Sequence, residues 1–355
     1  MAKVVFWISA SVVFYVYFGY PVLLMIWKRL SPNPVKKGQY EPLVSVVIAA
    51  RNERENIERK IRNCLSLDYP GNKLEIIISL DAPTDGTAEA VTPWIRRGVK
   101  VLYSPVHRGK AAAITRAVAV ANGEVIVFAD ARQQVHPNAI RALVSNLNDP
   151  SIGAVSGELV LIQQNNPTSE DAHEALGFYW RYEKWIREME SHIHSAIGAT
   201  GALYAIRREL FRPIPEGMIL DDVFIPMMIV LAGKRVVFEP LARAYDKVAC
   251  CPQGEFPRKV RTLVGNYQLL RQLPDLSSPR KNPVVFQFIS HKLGRLVVPY
   301  ALVMLFLSNA FLLQGFYLAA FLAQSAWYLL AAAGWLAVGT QSAQHAHKPL
   351  ALGRS

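Results

Sequence analysis

The chain has 355 residues, 52% of them hydrophobic and only 19% charged, and its mean hydropathy is +0.17. That composition excludes disorder and points to a membrane as well as a core. The net charge of +12 admits a nucleic acid, an anionic membrane surface or an acidic substrate, whereas three cysteines (Cys64, Cys250, Cys251) at no metal-ligand or redox spacing exclude a disulfide framework or a zinc site and suit a reducing compartment.

From residue 4 to residue 27 there is no charge at all, which predicts a transmembrane helix over 4–27: such a run crosses a hydrocarbon core of about 30 Å at about 1.5 Å per residue. Trp27-Lys28-Arg29 follows directly, without the small-residue cleavage site of a signal peptide.

Residues 41–280 then alternate short apolar runs with helix-periodic ones. Strands are expected at 43–49, 74–80, 99–103, 125–129, 153–160 and 236–239. Between the first two, Ile57, Ile61, Cys64 and Leu65 recur at helical spacing, the stripe of a crossover helix. This βαβ succession predicts an α/β domain with a mainly parallel sheet, helices on both faces, and ligands at the carboxyl ends of the strands. Asp81 and Asp130 each follow a strand directly, so both emerge on that edge. Each alone reads as a turn or cap; with Asn52-Glu53 and His107-Arg108-Gly109-Lys110 converging there, carboxylates for a base or metal and cations for phosphate share one crevice. The aromatic run Phe178, Tyr179, Trp180, Tyr182 and Trp185, on a helix expected over 169–195, reads as packing rather than as a sugar platform. His192 and His194 are two apart on it and make no metal pair.

No Asp, Glu, Lys or Arg occurs from Leu296 to His347. An amphipathic interfacial helix is expected over 282–294, spans over 296–313 and 316–338 with the break at Gln314-Gly315, and a tail over 339–355. Residues 28–40 carry +4 and residues 250–300 carry +6, while residues 41–249 sum to −1. The basic charge therefore marks cytoplasmic flanks of membrane helices, orienting a multi-pass chain in the plasma (inner) membrane with residues 41–280 in the cytoplasm. A nucleic-acid partner is excluded, because a binding domain would carry the excess itself.

The string Val44-Ser-Val-Val-Ile-Ala-Ala-Arg-Asn-Glu53, Asp81-x-x-Thr-Asp-Gly-Thr87, Arg108-Gly-Lys-Ala-Ala-Ala113 and Gly123–Asp130 resembles the ordered motifs of family 2 glycosyltransferases of the GT-A fold. Thr200–Arg207, Leu220-Asp-Asp-Val223 and Arg258-Lys-Val-Arg261 are similar to later motifs of its membrane polysaccharide synthases, makers of cellulose, hyaluronan and poly-N-acetylglucosamine. The resemblance implies an inverting enzyme that moves a sugar from a nucleotide donor, UDP-linked, to a growing glycan or a lipid-linked acceptor. It implies that Glu53 and Asp81 hold the nucleoside, that Lys110 sits near the nucleotide, and that Asp130 reaches a divalent cation, Mg2+ or Mn2+. Asp222, beside Asp221, would be the general base; Arg258 and Arg261 would face the diphosphate; Thr200 and Gly201 would lie on the acceptor side.

Two departures stand out. The acidic motif of the family is Asp-x-Asp, and here it reads Asp130-Ala131-Arg132. Either Asp130 alone anchors the cation with the diphosphate and water, or Arg132 replaces part of the metal charge, or activity is reduced, with a non-catalytic membrane scaffold as the limiting case. Thr262 stands where processive relatives have tryptophan, and two C-terminal spans are few for a translocation channel, which points to a partner subunit, a homo-oligomer or a short lipid-linked acceptor. A polyprenyl phosphate as acceptor is the remaining enzymatic alternative.

Overall fold

A computed structural model describes residues 1–162, 178–247 and 255–346. Cys250, Cys251, the first residues of the helix expected from 169 and the end of the tail lie outside the described residues. The chain divides into two compact units: the described residues of Met1–Pro21, Ala249–Leu263 and Ser290–Ser355, and those of Val22–Val248 and Val264–Ile289.

The second unit is built on one sheet. Its strands are β1 (Val44–Ala50), β2 (Leu74–Asp81), β3 (Lys100–Ser104), β4 (Val125–Ala129), β5 (Gln134–Val135), β6 (Ile152–Ile162), β7 (Leu203–Arg207) and β8 (Arg235–Lys247), in spatial order β3-β2-β1-β4-β7-β6-β8-β5. The half β3-β2-β1-β4 is wholly parallel. Beyond it β7 runs antiparallel to both β4 and β6, β6 and β8 are parallel, and β5 is an antiparallel edge. Parallel pairing dominates, as the sequence predicts. The strand β7, absent from the sequence reading, lies inside the Thr200–Arg207 motif, where five residues give too short a pattern to stand out.

The helices in chain order are α1 (Ala2–Leu30), α2 (Arg54–Leu65), α3 (Thr87–Ile95), α4 (Lys110–Ala119), α5 (Ala139–Asn146), α6 (Phe178–Ile193), α7 (Asp221–Leu231), α8 (Glu255–Gln272), α9 (Val285–Asn309) and α10 (Phe316–Ala346). Both faces of the sheet are covered, which is why the strands read as near-continuous apolar runs. Val46, Ile48, Ile78 and Val127 pack in one cluster with Ile57, Ile61 and Cys64 of α2 and Leu143 of α5. Val47, Ile77 and Phe128 are buried on the other face, where α4 lies against β1 and β2.

The other unit carries helices of membrane type. Ala2–Leu30, Val285–Asn309 and Phe316–Gly334 are each long and apolar enough to cross a bilayer. Trp7 stacks on Phe316 at 6.0 Å, and Tyr15 bonds Ser290 through the hydroxyls at 2.7 Å. Where an interfacial helix over 282–294 and a span over 296–313 are expected, α9 is helical throughout, passing Phe288–Leu293 as a π turn, and ends at Asn309. Lys292 and Arg295 raise the polarity of that stretch, but each backbone bond is made within the helix, so a polarity change alone does not end it.

Candidate active site

The ends of β1 and β2 deliver the first set of groups. Past β1, Asn52 takes a left-handed φ of 55° and its Oδ1 accepts the Thr84 amide at 2.8 Å. Glu53 opens α2 and accepts from Asn56 Nδ2 at 2.8 Å. Asp81, at the end of β2, is buried and accepts from the amides of Arg108 (2.9 Å) and Gly109 (2.8 Å) and from His107 Nδ1 (2.6 Å). Burial alone would raise its pKa; those three donors outweigh it and hold the carboxyl below the ordinary range. A carboxylate accepts about four hydrogen bonds, which leaves one acceptor position on Asp81 for a further donor.

Gly109, with φ 86°, turns the chain into α4, and Lys110 is the first residue of that helix. A cation at a helix N-terminus is opposed by the helix dipole, so its presence needs acids nearby. They are supplied: Lys110 Nζ lies 2.8 Å from Asp130 Oδ1 and 3.5 Å from Asp221 Oδ2. Burial would lower the lysine pKa, but Asp221 and Asp130 overcome it and push it up.

Asp221 and Asp222 form the first turn of α7 without capping it. The two side chains differ in surroundings. Asp221 is buried, and its Oδ2 receives no hydrogen bond among the described residues, only the lysine charge. Burial, offset by Lys110 and reinforced by Asp222 and Asp130, pushes its pKa up to about 6. Asp222 is half-buried and lies against Gly201, where an added Cβ would come within 3.0 Å of its Oδ2. The backbone is fixed there as well, since the Asp222 carbonyl accepts the Ala199 amide at 2.7 Å. Thr200 is anchored by its amide to Ser156 Oγ at 2.9 Å.

Thus Lys110, Asp130 and Asp221 meet, with Asp222 and Gly201 in direct contact beside them. Arg258 and Arg261 are exposed on α8, in the unit that carries the membrane-type helices. The sequence reading missed Tyr204 and Arg187. Tyr204 is fully buried on β7, its hydroxyl is without a hydrogen-bond partner among the described residues, and burial together with Asp221, Asp222 and Asp130 pushes its pKa far up. Arg187 is half-buried on α6, donates to Thr200 Oγ1 at 3.2 Å and interacts with Asp222. An aromatic in an apolar strand, or an arginine in a polar helix, gives no signal in one sequence.

Arg132, in place of the second acid, pairs with buried Asp246 at the end of β8, and Gln133 Nε2 donates to the same Asp246 Oδ2 at 2.9 Å. Its charge is therefore matched within the fold. Among the described residues no three His, Cys, Asp or Glu side chains are grouped to hold a metal. Asp130, however, has a side chain about one-third exposed (36%) and only Oδ1 engaged by Lys110. One free carboxylate oxygen is a donor that fits a hard cation arriving with a diphosphate, because Mg2+ is commonly held by one or two carboxylates plus substrate phosphates.

Residues 45–214 match the family model described as Glycosyl transferase family 2. Similar curated proteins include the probable glycosyltransferase YdaM of Bacillus subtilis, 25% identical over 309 residues and covering 81% of this chain and 72% of its own length. Another is the poly-beta-1,6-N-acetyl-D-glucosamine synthase of Staphylococcus aureus, 25% identical over 277 residues, where the match covers 75% of this chain but 63% of the synthase. Among solved structures, the mannosyltransferase PcManGT of Pyrobaculum calidifontis, described in complex with GDP-Man and Mn2+, superposes with a TM-score of 0.73 at 24% identity over 93% of this chain and 92% of its own; that likeness supports the GT-A fold. With residues 45–214 matching that family model and with these glycosyltransferase relatives, the chain carries a glycosyl transferase family 2 domain and is a glycosyltransferase.

Proposed function

We propose that the protein is a multi-pass membrane enzyme whose cytoplasmic domain, residues 41–280, transfers a sugar from a UDP-linked donor to a hydroxyl of a growing glycan or lipid-linked acceptor, with inversion. The observation that carries this reading is the cluster in which Lys110 bridges Asp130 and Asp221 while Asp222, the less buried acid, faces Gly201. The named synthase relative makes a glycan, which supports a saccharide acceptor in cell-surface polysaccharide synthesis.

In this mechanism the acceptor oxygen attacks the anomeric carbon, its proton passes to Asp222, and the nucleoside diphosphate leaves from the opposite face. An α-linked donor then gives a β-linkage. A base within hydrogen-bond reach contributes about 10²–10⁴-fold to such a step. Asp221 and Lys110 hold the floor of the site, with the lysine charge directed toward the donor side. Glu53 and Asp81 bind the nucleoside, and Arg258 and Arg261 serve the diphosphate. When a divalent cation, Mg2+ or Mn2+, is bound, Asp130 would hold it and it would offset the leaving-group charge.

The test is a donor screen in nanodiscs, following nucleoside diphosphate release from UDP-glucose, UDP-N-acetylglucosamine, UDP-galactose and GDP-mannose with glycan and polyprenyl-phosphate acceptors. Release from a UDP-sugar that depends on a glycan hydroxyl and is lost in Asp222→Asn supports the proposal. Full activity of Asp222→Asn toward polyprenyl phosphate replaces it with the phosphate-acceptor reading. Binding of UDP and Mn2+ without release from any donor replaces it with a scaffold.

A further inference from the structure

The Tyr204 phenol is held where the candidate acids converge. On β7 it pairs across the sheet with Phe128 of β4 and with Ser156 of β6, and its ring lies 4.6 Å from that of Phe128. Asp130 follows Phe128 by two positions, the period that returns a side chain to the same face of a strand. The hydroxyl is thereby brought among Asp221, Asp222 and Asp130, with Asp221 acting on it most strongly of the three. Tyr204 is 0% exposed, and its hydroxyl has no hydrogen-bond partner among the described residues. Buried tyrosine hydroxyls ordinarily find one, because a donor left unmade costs its full desolvation.

An acceptor in the same condition stands in the same cluster. Asp221 Oδ2 is buried and likewise receives no hydrogen bond among the described residues. Lys110 Nζ supports it by charge from 3.5 Å while bonding Asp130 Oδ1 at 2.8 Å. Lys110 is the member that can turn outward, since a third of its side chain is exposed (33%), whereas Asp221 and Tyr204 are enclosed by the fold. A nucleoside diphosphate entering the crevice brings negative charge that draws the ammonium away from Asp221. A buried carboxylate that loses its cation is strongly destabilising. The tyrosine hydroxyl, an uncharged donor already in place, is the group that can replace the lysine there.

We propose that Tyr204 is a positioning residue for the transfer reaction: when Lys110 turns to the diphosphate of the bound donor, the Tyr204 hydroxyl donates to Asp221 Oδ2 and keeps the acid pair fixed beside the acceptor. The inference rests on the reading of Asp222 as the base and of Lys110 as a donor-side cation. It gives the hydroxyl a use for which a phenylalanine would not serve.

The full chain carrying Tyr204→Phe is compared with the wild type in nanodiscs. Removing an unbonded hydroxyl should leave Tm unchanged or raised. With saturating donor and acceptor, kcat should fall about 10–100-fold, the effect of losing one hydrogen bond to a charged group, while donor KM and UDP affinity stay within about twofold. In a double-mutant cycle Tyr204→Phe should cost less than about threefold once Asp221→Asn has removed the carboxylate. The exchange of partners also has a signature independent of turnover. The Raman difference between the wild type and Tyr204→Phe isolates one phenol, and its tyrosine doublet should move to that of a hydrogen-bond donor when UDP and Mg2+ are added. A kcat within about threefold of the wild type, losses that add across the cycle, or a doublet indifferent to UDP overturns the proposal. The two readings fail separately. A Raman shift without transfer from any donor refutes the transferase and leaves the exchange standing, whereas transfer lost in Asp222→Asn but unaffected by Tyr204→Phe refutes the exchange alone.

Discussion

The parallel half of the sheet, β3-β2-β1-β4, and the mixed half, β7-β6-β8-β5, meet at the β4–β7 pair and differ in how the buried polar groups nearest the candidate site are satisfied. On the parallel side Asp81 has three donors and a depressed pKa, a finished structure before any ligand arrives. On the mixed side Asp221 Oδ2, the Tyr204 hydroxyl and both oxygens of Glu158 lack hydrogen bonds among the described residues. One side is hydrogen-bonded within the fold; the other leaves several buried polar atoms without hydrogen bonds among the described residues. Lys110 is the link, attached to Asp130 on one side and Asp221 on the other.

The comparison breaks most sharply at Asp222. Asp222→Asn should lower glycan transfer about 10²–10⁴-fold, read as UDP release with saturating acceptor, while UDP affinity stays; turnover within threefold of the wild type removes the base from the mixed half. Lys110→Met severs the link. Donor turnover should fall about 10²-fold, and Tm should drop too, although one-third of the lysine side chain is exposed and the loss should stay below the roughly 3–5 kcal/mol of a fully buried broken pair. Gly201→Ala pushes a methyl into the space of Asp222 Oδ2, and a displaced base should cost kcat about tenfold or somewhat more with UDP binding intact.

Two pH experiments sharpen the contrast at smaller amplitude. The folded pKa of Asp81 is depressed, so its stabilisation is present above the unfolded value of about 3.9 and is lost as pH falls through the folded value. Asp81→Asn should therefore be less stable than the wild type at pH 7 by about 1–3 kcal/mol, read as a lower Tm, with the gap closing in acid. Asp221 has the opposite sign. Its folded pKa lies above the unfolded one, so ionising it costs the folded state progressively from about pH 4 until the folded value is passed. Relative to the wild type, Asp221→Asn should gain Tm as pH rises through that window, and a flat difference would refute the burial argument.

Much of the parallel half was legible because its signals are local. Each strand is an apolar run between turn residues, and Asp81 and Asp130 follow their strands directly, so the topological rule that places ligands at strand ends brings them to one edge. The mixed half was less legible. Strand β7 is five residues inside a motif, and α9 continues through a stretch whose polarity suggests a break. Arg132 reads in sequence as a lost metal ligand, and only pairing across to β8 matches it with Asp246, 114 positions away.

The sequence by itself determined the membrane-type helices, the α/β class, the family and the acids and lysine of the candidate site, because hydropathy, strand-to-loop punctuation and ordered motifs are properties of neighbouring residues. The tertiary structure decided which of the two adjacent acids is buried and which is accessible, what Lys110 and Arg132 pair with, and that buried Glu158 meets Lys184 and Arg243. Those outcomes depend on burial and on contacts between strands and helices far apart in the chain, and the same residue types in the same order are compatible with either answer until the sheet brings them together.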